Sequence, residues 1–148
     1  MASTTPGYGA RMTTAPLTGQ APALAAVAAG GALGALGRHG LGLALPHPVG
    51  SFPWATFAVN VTGCLLIGVL VVLVTERREA HPLVRPLLGT GVLGGYTTFS
   101  TYAVDAHQVL GAGRLVAAGA YIVGTLVAAL VATWLGLRLT RLAVGLPR

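Results

Sequence analysis

Charge is scarce in this chain. Only 8% of its residues are Asp, Glu, Lys or Arg, where a soluble domain carries roughly 25%. With 54% hydrophobic residues and a mean hydropathy of +0.77, an ordinary soluble domain is excluded. The chain reads instead as an integral membrane protein surrounded by membrane lipid. It has one cysteine, Cys64, set in an apolar run, which excludes an intramolecular disulfide and a cysteine-built zinc site. No Ser-His-Asp set, paired carboxylate or metal-ligand spacing stands out, so the chain is not read as an enzyme. The net charge of +6 does not mark a nucleic-acid binder, because no basic cluster interleaves with aromatics. The arginines lie at the ends of apolar runs, where they anchor helices and set orientation.

What is present falls into four apolar segments. Residues 1–22, rich in Thr, Pro, Gly and Ala, read as a disordered tail. A signal peptide is the competing reading, but the apolar run from Ala23 is too long and has no convincing cleavage site. Residues 23–141 form one four-helix domain, and 142–148 a C-terminal tail. The predicted helices are 23–45, 54–75, 83–110 and 115–139. Gly30, Gly34 and Gly37 in the first suit close helix packing. Arg38, farther along it, either snorkels to an interface or pairs inside the protein. In the second helix Thr56, Asn60 and Cys64 recur every four residues and share a face. In the fourth, Tyr121 and Thr125 lie one turn apart. Asp105 and His107 are placed at the membrane interface, near the end of the third segment. Four spans put both termini on one side. Seven of the nine arginines fall on that side, against Arg38 and Arg114, which predicts cytoplasmic termini.

The third segment carries the unusual chemistry, reading G-T-G-V-L-G-G-Y-T-T-F-S-T-Y from Gly89 to Tyr102. Gly94 and Gly95 weaken the helix. Thr97, Thr98, Ser100, Thr101 and Tyr102 then bring five hydroxyls that hydrocarbon cannot solvate. The stretch formally matches G-x-G-x-x-G, but a charged loop precedes it where a dinucleotide site needs a strand. It also lacks the Lys of a phosphate-binding loop. The remaining reading is a pore. A helix broken in the membrane frees carbonyls for a small cation, and the hydroxyls suit a dehydrated anion. Phe99 and Tyr102 would present electropositive ring edges. A Gly/Thr packing seam explains each residue singly but not their crowding together.

At this point the sequence resembles the CrcB/Fluc family of small fluoride channels, over about residues 30–139. The resemblance rests on G-x-x-x-R at Gly34 to Arg38 and on T-x-x-x-N-x-x-G at Thr56 to Gly63. It rests above all on G-T-G-x-x-G-G-x-T-T-F-S-T-[FY] at Gly89 to Tyr102, followed by the Tyr121 and Thr125 face. It implies an all-α, multi-pass protein of the bacterial plasma membrane, with four transmembrane helices, the third broken mid-membrane. It implies an antiparallel dimer with two fluoride pathways and a structural sodium ion at its centre, held by the Gly94 and Thr97 carbonyls. Asn60 would donate to fluoride and Phe99 would offer its ring edge. Ser100, Thr101, Tyr121 and Thr125 would line the track, with Tyr102 and Thr56 beside them. Arg38 matches the family's first-helix arginine, with its role open. The family pattern often has Phe at the place of Tyr102 and Ser at that of Thr125. The implied activity is passive, fluoride-selective export from the cytoplasm. The charge bias suggests pairing with an oppositely oriented paralogue, a homodimer being the simpler case. A small dimeric proton-coupled transporter would need an acid in its path, and Asp105 is the sole candidate. A membrane assembly protein would leave the hydroxyl–aromatic cluster unexplained.

Overall fold

The computed structural model describes residues 19–76 and 81–145, and every described element is helical. The predicted tail lies outside the described residues up to position 18, as do Arg11, Arg77, Arg78 and Arg148 of the arginine tally. Helix α1 spans Ala21–Ala44, with a proline in its first turn, where the missing N–H has no helical partner to lose. It starts two residues before the expected 23. A loop follows in which Gly50 has φ +78° and its missing Cβ faces Ala112, so glycine is needed there. Helix α2, Trp54–Val71, winds on as a π-helical turn over Val72–Glu76.

The expected third helix is where the fold departs from regularity. It enters as a π-helical segment, Arg85–Leu93, and ends in the single turn α3, Gly94–Tyr96. Thr97 and Thr98 are extended, with ψ of 159° and 125°. Helix α4, Phe99–Gly111, then resumes, and α5 runs over Leu115–Ala143. The predicted break is therefore present. Among the described residues, three helical stretches are long and apolar enough to cross a membrane: Ala21–Ala44, Trp54–Glu76 and Leu115–Ala143. The pieces on either side of the break are each shorter than the ~20 residues a span requires. The π winding was not expected. Pro86 lies in its first turn, where the missing N–H costs no helical bond, and Gly89 and Gly91 follow it, leaving the backbone free to widen.

Glycine contacts set the packing. α1 lies on the π segment and α3, where a Cβ on Gly30 or Gly34 would collide with the carbonyl oxygens of Leu87 or Val92. The Gly30–Gly34 spacing thus brings two backbones into contact, as its pattern predicts. α2 lies on α5 in the same manner, with Gly68 against Thr133 and Gly136 against Leu65. An ion pair between Arg141 and Glu76, 2.6 Å, ties the ends of those two helices. Val59, Val72, Val109 and Tyr121 fill the interior. Leu33, Leu36, Val116, Leu126 and Leu130 remain exposed. A water-soluble protein would hide that apolar surface, whereas lipid or another membrane chain can cover it.

Candidate functional site

The break is held open by side chains from neighbouring helices. In an unbroken helix the Thr98 N–H would bond the Gly94 carbonyl and the Thr101 N–H would bond that of Thr97. Here Thr98 donates its N–H to Asn60 Oδ1 at 2.9 Å, and Asn60 Nδ2 donates back to the Thr98 carbonyl at 3.0 Å. Thr101 donates its N–H to Thr98 Oγ1 at 3.1 Å, so Thr98 caps α4. The Gly94 and Thr97 carbonyls are thereby released from their helical donors. Gly63 allows this approach, since a Cβ there would strike the Thr97 methyl. Tyr96 Oη lies 2.9 Å from Thr62 Oγ1 and fixes the last turn of α3 to α2.

The half-buried Arg38 points its Nη1 toward the Thr97 carbonyl at 3.4 Å, longer than the usual hydrogen-bond range.

Two cavities flank this junction. The first, about 520 Å³, lies between α2, the break and α5, and is lined by Asn60, Cys64, Thr97, Thr98, Phe99, Tyr102 and Thr125 among others. The second, about 430 Å³, lies between α1, the α1–α2 loop, α2 and α4, and is lined by Arg38, Thr56, Thr98, Thr101 and Asp105 among others. Thr98 borders both. Tyr121 is fully buried behind Tyr102, their ring centroids 5.1 Å apart. Phe99 stands 80% exposed, its ring 5.8 Å from that of Tyr102. Phe52 packs edge-on to Tyr121 at 5.5 Å, so the rings form a continuous series from the break to the loop.

Hydrogen bonding separates the candidate donors. Tyr121 Oη and Thr125 Oγ1 are buried and find no hydrogen-bond partner among the described residues. Buried hydroxyls are rarely left unpaired, and Thr56 and Asp105 are polar neighbours of Tyr121. Asn60 has spent one of its two N–H donors on Thr98. The Tyr102 hydroxyl is also engaged, donating to the Ile122 carbonyl at 3.0 Å. It therefore offers a ring edge rather than the additional donor its identity suggested. Thr101 Oγ1 is 3.0 Å from Thr98 Oγ1, while Ser100 is exposed and lines neither cavity.

Asp105 is buried within the protein, and its Oδ2 accepts a 2.6 Å hydrogen bond from Thr56 Oγ1. The α4 helix turns this residue onto α2, while His107 stays exposed. Residues near a segment end usually snorkel, but a hydroxyl partner one helix away makes burial tolerable. Asp105 and Thr98 are the residues missed as contributors. A capping Thr ahead of a helix start was the available signal for Thr98. Asp105 gave none beyond being an acid in an apolar segment.

Comparison with known proteins shows the family of the chain. Residues 25–137 match the family model described as CrcB-like protein, Camphor Resistance (CrcB). The chain is 56% identical to "Fluoride-specific ion channel FluC 1" of Streptomyces coelicolor, over 78% of this chain and 75% of that one. It is 50% identical to "Fluoride-specific ion channel FluC 2" of Nocardia farcinica, over 84% and 89% of the two chains. It is 44% identical to "Fluoride-specific ion channel FluC" of Rhizobium meliloti, over 80% and 95%. The family match takes in most of α1 and α5, all of the helices between them, the break and both cavities, and on that ground the chain belongs to the CrcB-like family of multi-pass membrane proteins.

Proposed function

We infer that this chain is a fluoride-selective channel that lets fluoride leave the cytoplasm passively. The observation that carries the reading is the buried, unpartnered Thr125 hydroxyl, which lines the same cavity as the Asn60–Thr98 clamp, with the buried Tyr121 hydroxyl one helical turn away on α5. Fluoride is small and strongly hydrated, so a path must replace its water with donors. The remaining Asn60 N–H, the two free hydroxyls and the ring edges of Phe99 and Tyr102 make such a set. None carries a fixed charge that would bind the ion too tightly to leave. Ser100 and Thr101 continue the polar surface of the break, and Thr56 supports it through Asp105.

The Gly94 and Thr97 carbonyls, released from their helical donors, are oxygen ligands of the kind a hard cation takes, the Thr97 oxygen being also approached by Arg38 Nη1 at 3.4 Å. A sodium ion held there would supply a fixed positive charge at the break. Two carbonyls from one chain are only part of a coordination shell, and an antiparallel second copy would bring two more. The exposed apolar surface around Phe99 and Leu126 would be covered in such a dimer, with itself or with an oppositely oriented paralogue. The third segment would then complete its crossing within protein rather than facing lipid.

The burial of Asp105 favours one other reading, a proton-coupled transporter, because intramembrane acids serve as proton carriers. Liposomes holding equal fluoride inside and out separate the two. A channel gives no net movement when only a pH gradient is imposed, once passive leak in protein-free vesicles is subtracted. Sustained accumulation against a fluoride gradient would overturn the passive reading.

A further inference from the structure

Cys64 takes no part in the passage of fluoride as derived above, yet it stands in the same cavity. It is the only cysteine of the chain, and its thiol is free. It lies one turn beyond Asn60 on the same face of α2. With Asn60, Thr97, Phe99 and Thr125 it lines the space of about 520 Å³. An independent feature marks that space as a place for a ligand. Thr125 is 5% exposed and its hydroxyl has no partner among the described residues, a state that buried hydroxyls rarely keep without water or a ligand. The described lining includes no His, Asp, Glu, Lys or Arg, so the Cys64 sulfur is its one soft ligand. Cys64 also falls near the middle of the Trp54–Glu76 span, roughly 15–18 Å from its ends at 1.5 Å per residue.

We propose that Cys64 is a modification site inside the fluoride path, where a soft, thiol-seeking metal cation such as the mercuric ion binds and closes it. This inference rests on the channel reading. Thiolate sulfur selects soft metals, and a coordinating metal deprotonates a thiol outright. The S–H bond of Cys64 breaks, an S–Hg bond forms, the proton goes to water, and no electron is transferred. The divalent ion thus becomes a singly charged thiolate adduct. The cavity is many times the ~30 Å³ share of one water molecule, so the metal fits with its remaining ligands. Once bound, it narrows the path and places a fixed positive charge one helical turn from the Asn60 amide. Conduction needs an ion that leaves as readily as it enters, and a cation held there keeps fluoride in place. Metal on a lipid-facing thiol would leave the flux as it was.

The test is fluoride efflux from liposomes containing the full purified chain, potassium fluoride and a potassium ionophore, before and after mercuric nitrate is added in a medium free of chloride. Protein-free vesicles measure the leak, which is subtracted, and intact-protein mass reads whether Cys64 carries mercury. Efflux is expected to fall about tenfold or more, as for an ion held too tightly to leave, and to return with excess dithiothreitol. Cys64→Ala, and Cys64→Ser if the first does not fold, should each keep their own starting rate after mercury. Mercury on Cys64 with unchanged efflux, no mercury on Cys64, or a loss that persists in the variants overturns the proposal. Absence of fluoride efflux before mercury is added would overturn the channel reading itself, a distinct result.

Discussion

Asn60 and Thr98, 38 positions apart, exchange two hydrogen bonds, so one amide side chain replaces the backbone partners lost where the third segment breaks. The break and the proposed donor to fluoride are therefore coupled through a single residue. Asn60 cannot be altered for conduction without also loosening the backbone it holds.

Asn60→Asp exchanges the Nδ2 donor for an oxygen facing the Thr98 carbonyl. Fluoride flux should fall ~10-fold or more, a rise of about 1.4 kcal/mol in the barrier. Stability in detergent should fall by roughly 1–3 kcal/mol, the cost of leaving a buried polar group unpaired. Unchanged flux would remove Asn60 from the path, and unchanged stability would contradict the clamp.

Tyr121→Phe and Thr125→Val behave in the opposite sense. Each removes a buried hydroxyl that the protein does not satisfy. Thermal stability should hold or rise, by up to about 1 kcal/mol, while fluoride flux drops. A loss of stability with full flux would show that these hydroxyls serve the fold and not the ion.

The glycine contacts give a stability contrast within one helix. Gly34→Ala would drive a methyl into the Val92 carbonyl and should cost about 1–3 kcal/mol. Gly40→Ala meets nothing within 4 Å and should stabilise by roughly 0.5–1 kcal/mol through helix propensity. Thermal unfolding of the two purified variants checks the order, and equal effects would contradict the packing of α1.

Asp105 can be tested through its partner. Asp105→Ala leaves the Thr56 hydroxyl without its acceptor, at a cost of roughly 1–3 kcal/mol. Asp105→Asn keeps an acceptor oxygen and should cost less. If both substitutions leave stability unchanged, the buried contact does not hold α4 to α2.

The helices of this fold were legible because long apolar runs, prolines and charged turns bound them. The break was legible too, since Gly94, Gly95 and the hydroxyl cluster cannot continue a lipid-facing helix. The π winding of Arg85–Leu93 was not, because it shifts hydrogen bonds by one residue without changing the apolar pattern. Nor was the burial of Asp105, which depends on how α4 rolls against α2 and on the chance of meeting Thr56. Tyr102 shows the same limit: its ring placement followed from spacing with Phe99, but its hydroxyl partner, the Ile122 carbonyl, came from another helix. Sequence patterns report faces and periods along one element. Hydrogen bonds between elements decide which polar groups remain free, and at this site that decides function.

The most direct measurement is anion release from liposomes that contain the purified chain, potassium salts of fluoride and chloride at equal concentrations, and a potassium ionophore to carry the counter-charge, followed with electrodes for both anions. The account predicts rapid fluoride release with chloride retained at the level of protein-free vesicles. Chloride release as fast as fluoride, or no fluoride release, would contradict it.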